Sequence, residues 1–156
     1  MTCGYVREYV PSDAAAIAEG MRQADRDEVS AHSGSTPYDA VTRGVSFSKI
    51  RCTIVRTWGH KPVGVFGVTE DGTIWCLGTD DLTRKPLVYQ FMRECRRYVD
   101  LLQDHYPILH NVIDARNTVH ITWLRHMGFT FIRRIPQFGV ENREFMEFVR
   151  IEKGTG

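Results

Sequence analysis

Six histidines, four cysteines and several clustered charges are the groups in this 156-residue chain that could do chemistry. His105, His110, His120 and His126 lie close together in sequence. They form neither an HExxH nor a His-x-His pattern, so no metal site is expected. His120 shares a helical face with Trp123, Leu124 and Met127, the place of a packed histidine. Cys3, Cys52, Cys76 and Cys95 contain no CxxC pair, which argues against a zinc ribbon and a thioredoxin-type site. They read as small apolar residues of a reducing compartment. Cys76 could be a nucleophile with His110 or His120 as its partner, although burial is the commoner fate of cysteine. Glu28 and His32 could accept a proton from a nucleophile. Their bland reading is a helix-end carboxylate and an exposed loop histidine. Arg84 and Lys85, with Arg93, Arg96 and Arg97, make a local basic face for phosphate or an acidic partner, or a solvated helix surface.

These groups must be placed by the elements around them. Tyr5 to Val10 reads as the first strand. Ser12 or Asp13 then caps a helix over 14–28, with Ile17, Met21 and Ala24 on one face. A loop holds His32 to Ser35, and Thr36-Pro37 opens a short helix through about Val45. Three strands follow at 52–58, 63–69 and 73–77, joined by turns short enough to force antiparallel pairing. The longest helix spans Pro86 to His105, with Val88, Phe91, Met92, Cys95, Val99 and Leu102 along one stripe. Ile108 to Ile113 is a strand, and Asn117 to Met127 a helix ended by Gly128. Phe129 to Ile135 and Phe145 to Ile151 are the last strands, connected by Pro136 to Asn142. The order β-α-α-β-β-β-α-β-α-β-β predicts an α+β fold with a mixed sheet and helices on both faces. One domain over 1–152 and a short polar tail at 153–156 are expected.

Composition fits this reading. Hydrophobic residues make up 42% and charged residues 25% of the chain, the balance of an ordinary globular domain. The formal net charge is +1, so no global field draws the chain to nucleic acid or anionic lipid, and a nucleic-acid partner is not expected. No signal-peptide pattern and no apolar run of membrane-spanning length is visible.

The stretch from Asn117 through Arg125, His126 and Met127 to Gly128-Phe129 resembles the C-terminal motif of GCN5-related N-acetyltransferases. The element order resembles that fold over nearly the whole chain. The resemblance implies an acetyl-CoA site where the fourth and fifth strands part, with the pyrophosphate on N–H groups at the start of the long helix. The family's Gln/Arg-x-x-Gly-x-Gly/Ala loop is replaced here by Asp80-Asp81-Leu82-Thr83-Arg84-Lys85-Pro86-Leu87-Val88. Pro86 removes an N–H, and Val88 stands where glycine or alanine is usual. Arg84, Lys85 and Asn117 are the residues left to hold a cofactor. The family's general-acid tyrosine corresponds to Leu124, and the Thr73–Leu77 strand lacks the usual glutamate. Glu28, His32 and Cys76 are the substitute catalytic candidates. Asn117 also has a structural role open to it, as a helix cap.

A narrower pattern, Asn117, Thr118, His120, Ile121 and Leu124, resembles the small internal virion protein of T7-like podophages. It implies a phage virion or the cytoplasm of an infected host as the location, and other phage or virion proteins as partners. Two readings follow. One is a structural or interaction component with a degenerate acetyl-CoA site and no cofactor. The other is an active acyl-CoA-dependent N-acetyltransferase. For the first, arginine and aromatic residues near the last two strands, Arg134 and Phe138 above all, are expected to contact another chain.

Overall fold

β-Branched residues alternate through 52–56 and 63–69, which gives each strand two apolar faces to bury. The computed structural model describes residues 2–153, so 154–156 of the expected tail lie outside the described residues. Strands β1 (Gly4–Glu8), β2 (Ser48–Arg56), β3 (Lys61–Thr69) and β4 (Ile74–Gly78) form one antiparallel sheet in that order. A second antiparallel sheet has the order β5 (Ile108–Asp114), β7 (Arg143–Ile151), β6 (Thr130–Phe138).

The sheets meet at β4 and β5, which touch at their starts through a parallel Thr73–His110 bridge. The His110 N–H donates to the Gly72 carbonyl at 3.0 Å, and the Asn111 amide donates to the Ile74 carbonyl at 2.8 Å. Beyond these contacts the strands part, as expected from the sequence. Gly72 fixes the closed end: its φ is +88°, and a Cβ there would collide with the Ile108 carbonyl oxygen. Only glycine fits both demands.

Register sorts the side chains into two layers. Thr53, Val65 and Leu77 stand in one row across β2, β3 and β4. Val65 and Leu77 pack against Ala14 and Ile17 of α1 (Asp13–Glu19), and Val41 and Val45 of α3 (Pro37–Phe47). Phe66 belongs to the opposite face. There Leu87, Cys95 and Val99 of α4 (Leu87–Gln103) and Ile121, Trp123 and Leu124 of α5 (Thr118–His126) cover Leu109, Ile113 and Phe148. Helices therefore cover both faces, and each fully buried large apolar side chain contributes about 1.5–3 kcal/mol.

Three local expectations are corrected. The helix expected over 14–28 is two helices, α1 and α2 (Gln23–Ser33), so three helices precede β2. The break occurs because Met21 bridges Thr79 and the Arg22 N–H donates to the Gly78 carbonyl at 2.9 Å: pairing with the end of β4 wins over helix continuation. His32 consequently sits in the last turn of α2 rather than in a loop. Neither Ser12 nor Asp13 caps α1 with its side chain. Asp13 is buried, held by the Arg7 guanidinium through two 2.8 Å bonds and by the Thr53 hydroxyl at 2.7 Å. Thr36 does cap α3, accepting from the Asp39 N–H at 3.1 Å.

Candidate functional site at the splayed strands

Arg22, Asp25 and Glu28 are three residues apart, so they share one side of α2. α2 turns that side toward the gap where β4 and β5 separate, and their polar groups take over the bonds the sheet no longer makes. Asp25 is 1% exposed. It accepts from the Gly78 N–H of β4 at 3.0 Å, from the Asn117 amide at 3.0 Å and from Arg22 at 3.2 Å. Glu28 accepts from the Asp114 N–H of β5 at 3.0 Å and from Asn117 at 3.3 Å. Asn117 also accepts from Arg22 at 3.4 Å, and the Arg22 guanidinium lies 5.3 Å from the Trp123 ring centre. The two carboxylates thus tie the ends of the parted strands to one helix, with Asn117 between them.

Asn117 stands at the N-cap of α5 without making a side-chain cap. Its amide is spent on Asp25 and Glu28, which corrects the capping expectation. An interior charge pair holds only when its lone pairs and protons are satisfied, and Asn117 supplies the missing donors.

Burial and the negative charge of Asp25 push the Glu28 carboxyl up to about 8, against the two hydrogen bonds it accepts. Burial likewise pushes the Cys76 thiol up to about 12. Both side chains touch the cavity described next, so they keep some solvent contact while protein surrounds them. A buried thiol with a raised pKa supplies little thiolate at neutral pH. His120 is buried, and desolvation lowers its pKa. Its Nδ1 has no hydrogen-bond partner among the described residues.

A cavity of about 440 Å³ occupies the splay and runs from the α2–α3 side to the inner face of α4. Glu28, His32, Cys76 and His120 line it, so the structure brings these candidates to one space. The His32 ring also packs 5.3 Å from Phe138 and 6.1 Å from Phe145. His110 and His126 lie elsewhere, bonded to the Asp71 and Met92 carbonyls. Among the described residues no cluster could hold a metal ion.

At the start of α4 the picture differs. The N–H groups of Leu82, Arg84, Val88 and Tyr89 donate to the carbonyls of Thr79, Asp81, Arg84 and Pro86. Arg84 bonds Asp81 at 2.9 Å, and Arg56 and Lys61 also reach that carboxylate, at 3.2 and 3.6 Å. The Lys85 ammonium sits 5.7 Å from the Tyr89 ring centre. Of the donors here, the Arg84 guanidinium and the N–H groups of Val88 and Tyr89 have partners within the chain, which reduces what a pyrophosphate could meet. Leu124, at the general-acid position, is a core residue.

Arg134 is exposed and paired with Glu144 at 3.2 Å. Phe138 is partly buried, its ring 4.9 Å from that of Phe145. It is a packing residue as well as a surface one. Trp75 is also partly buried, its indole N–H donating to the Ser48 hydroxyl at 2.7 Å, while Trp58 is exposed.

The residues that sequence reasoning missed are Arg22 and Asp25. Their only signal was the three-residue spacing with Glu28, which is also the pattern of a water-facing helix side.

No protein-family model matches the sequence, and no curated protein matches it. Solved structures do match in fold. The ribosomal-protein-S5-alanine acetyltransferase from Vibrio fischeri superposes with a TM-score of 0.68 at 14% identity, over 100% of this chain and 97% of the other. A GCN5-related N-acetyltransferase from Kribbella flavida gives 0.69 at 14%, over 96% and 98%. Spermidine N-acetyltransferase from Vibrio cholerae, in complex with CoA and spermine, gives 0.66 at 11%, over 96% and 95%. The chain has the GCN5-related N-acetyltransferase fold. At these identities the likeness concerns the fold alone.

Proposed function

We propose that this chain uses an acetyltransferase fold as an interaction component, without a working acetyl-CoA site. The reading extends to a phage virion, or the infected host cell, as its place of action, in line with the podophage resemblance. The observation that carries the first part is the start of α4. An anion site at a helix N-terminus needs free N–H groups, and here those of Val88 and Tyr89 are bonded to Arg84 and Pro86 carbonyls. Asp81 adds a competing carboxylate that already gathers three cations.

The proposed contact surface is the outer side of the β6–β7 end. Ile132 is 54% exposed there, flanked by Arg133 and Arg134, whose pairs with Glu147 and Glu144 lie at the surface. Exposed apolar residues bordered by arginine suit a protein contact. Phe138 is partly buried against His32 and Phe145, so its truncation would also loosen α2.

Titration calorimetry with acetyl-CoA and with CoA tests the reading. The expected dissociation constant is weaker than about 100 μM, near −5.5 kcal/mol. Low-micromolar binding would overturn it. For the surface, Ile132→Glu with Arg134→Glu should reduce co-sedimentation with phage particles while circular dichroism stays unchanged. Normal incorporation would remove the interaction surface.

One observation favours acyl transfer as a second reading. A glutamate titrating near 8 beside a cavity in the splay has the proton affinity of a general base for an amine. Release of CoA from acetyl-CoA in the presence of an amine, lost in Glu28→Gln, would establish that reading in place of the first.

A further inference from the structure

We propose that the cavity in the splay is a binding site for a free aliphatic monocarboxylate, its head at Arg43 and its tail between the sheet and α4. The wall is apolar over most of its extent, with Ile74, Phe91, Trp123 and Phe148 among its residues. Volumes of this size are those of small-molecule sites rather than packing defects. Scaling from the 150 Å³ that accommodates the six carbons of benzene, the space suits a chain of up to roughly eighteen carbons.

The charges at its two ends have opposite sign. Arg43 on α3 lies at one opening, exposed and without a carboxylate partner among the described residues. Its charge reaches His32 beside it, adding to the burial that lowers that pKa. Glu94 on α4 lines the far side, held at 3.3 Å by the Gln90 amide. An anionic head is therefore drawn to Arg43 and repelled from the other end, while an arginine fork matches a carboxylate in shape. Glu28, in the middle, has its carboxyl pushed up by burial and the Asp25 charge, which favours the neutral form beside a tail. The mostly apolar interior disfavours a polyhydroxylated ligand or a second charge there. The occupant is a molecule with one charge and one long apolar part.

Fluorescence or calorimetric titration of the full chain with dodecanoate, with dodecanol as the uncharged counterpart, tests the assignment. Saturable one-to-one binding of dodecanoate is expected, with acetate failing to bind. Arg43→Gln, a change on an exposed helix position, should weaken dodecanoate at least tenfold and leave dodecanol within twofold. Ala40→Trp, which narrows the same opening, should weaken both, with circular dichroism confirming the fold. The inference is overturned if dodecanoate does not saturate, if Arg43→Gln leaves its affinity unchanged, or if dodecanoate and dodecanol lose affinity equally in Arg43→Gln. None of these outcomes depends on whether acetyl-CoA binds, so failure here and failure of the functional reading are separable.

Discussion

Asp81, before α4, and Glu28, on α2, are carboxylates in opposite surroundings. Asp81 is met by Arg56, Lys61 and Arg84, all within 3.6 Å. Among the described residues Glu28 pairs with no cation. Its partners are a backbone N–H and the Asn117 amide, and its charged neighbour is Asp25. One side has its carboxylate saturated by cations within the chain. The other keeps an acid whose proton sits near neutrality at the edge of a cavity. On the proposed reading the ion cluster around Asp81 takes the place of a phosphate site, while the side that faces α2 keeps a perturbed acid of the kind found at functional sites.

The largest effect should come from Asp25→Ala. It strips the Gly78 N–H and the Asn117 amide of an acceptor and leaves Arg22, itself 6% exposed, without its carboxylate. Loss of one member of such a buried pair costs about 3–5 kcal/mol, measurable by urea denaturation. The same change removes the negative charge next to Glu28, so the Glu28 pKa should fall, read by carboxyl carbon NMR. A destabilisation below about 1 kcal/mol would mean the α2 network does not hold the parted strands, and the contrast with Asp81 would collapse.

Glu28→Gln is next. A glutamate ordinarily titrates at about 4.3 and here near 8. The folded state holds the proton longer than the unfolded one, so this group's stabilising contribution is full below the lower value. It declines as pH rises and is gone above about 8. At 1.36 kcal/mol per unit, and discounted for water in the cavity, about 2 kcal/mol should be lost between pH 5 and 9. Thermal melts across that range should show the decline in the parent chain and flatten it in Glu28→Gln. Parallel curves would show that Glu28 titrates normally.

The element order and the antiparallel hairpins were legible because they depend on local signals, and the splay came only with the family resemblance. Turns such as Glu70-Asp71-Gly72, the Thr36-Pro37 cap and the long apolar stripe of 88–102 act within a few residues. Gly128 ends its helix as expected, with φ +91°. The α1–α2 break was hidden because its cause is Thr79, far along the chain. Arg22 and Asp25 were hidden for the same reason. Asp25 reaches Gly78 across 53 positions and Asn117 across 92, and without those partners a helix side of Arg, Asp and Glu reads as solvated. Glu28 could be nominated from sequence as a proton acceptor. Its tuning by Asp25 could not. The missing glycines at 80–88 pointed to a changed cofactor loop, but the capture of Arg84 by Asp81 needed the fold.

The smallest expected effect is also the most direct attempt to erase the contrast between the two carboxylates. Asp81→Asn removes the charge that holds Arg84 and Lys61, whose side chains are 69% and 50% exposed. Ion pairs open to water contribute about 0–1 kcal/mol each, and Arg56, 21% exposed, loses its partner as well, so stability should fall by about 1 kcal/mol. The freed cations then face the start of α4 with no internal anion. If Asp81 is what excludes phosphate, CoA should bind Asp81→Asn about three- to tenfold more tightly than the parent, with the gain shrinking as salt is raised. Adding Lys85→Ala should take part of that gain back. If CoA affinity does not move, the obstacle is the backbone itself. Pro86 and the bonded Val88 and Tyr89 N–H groups would then be sufficient to close the phosphate side, and no change of surface charge would reopen it.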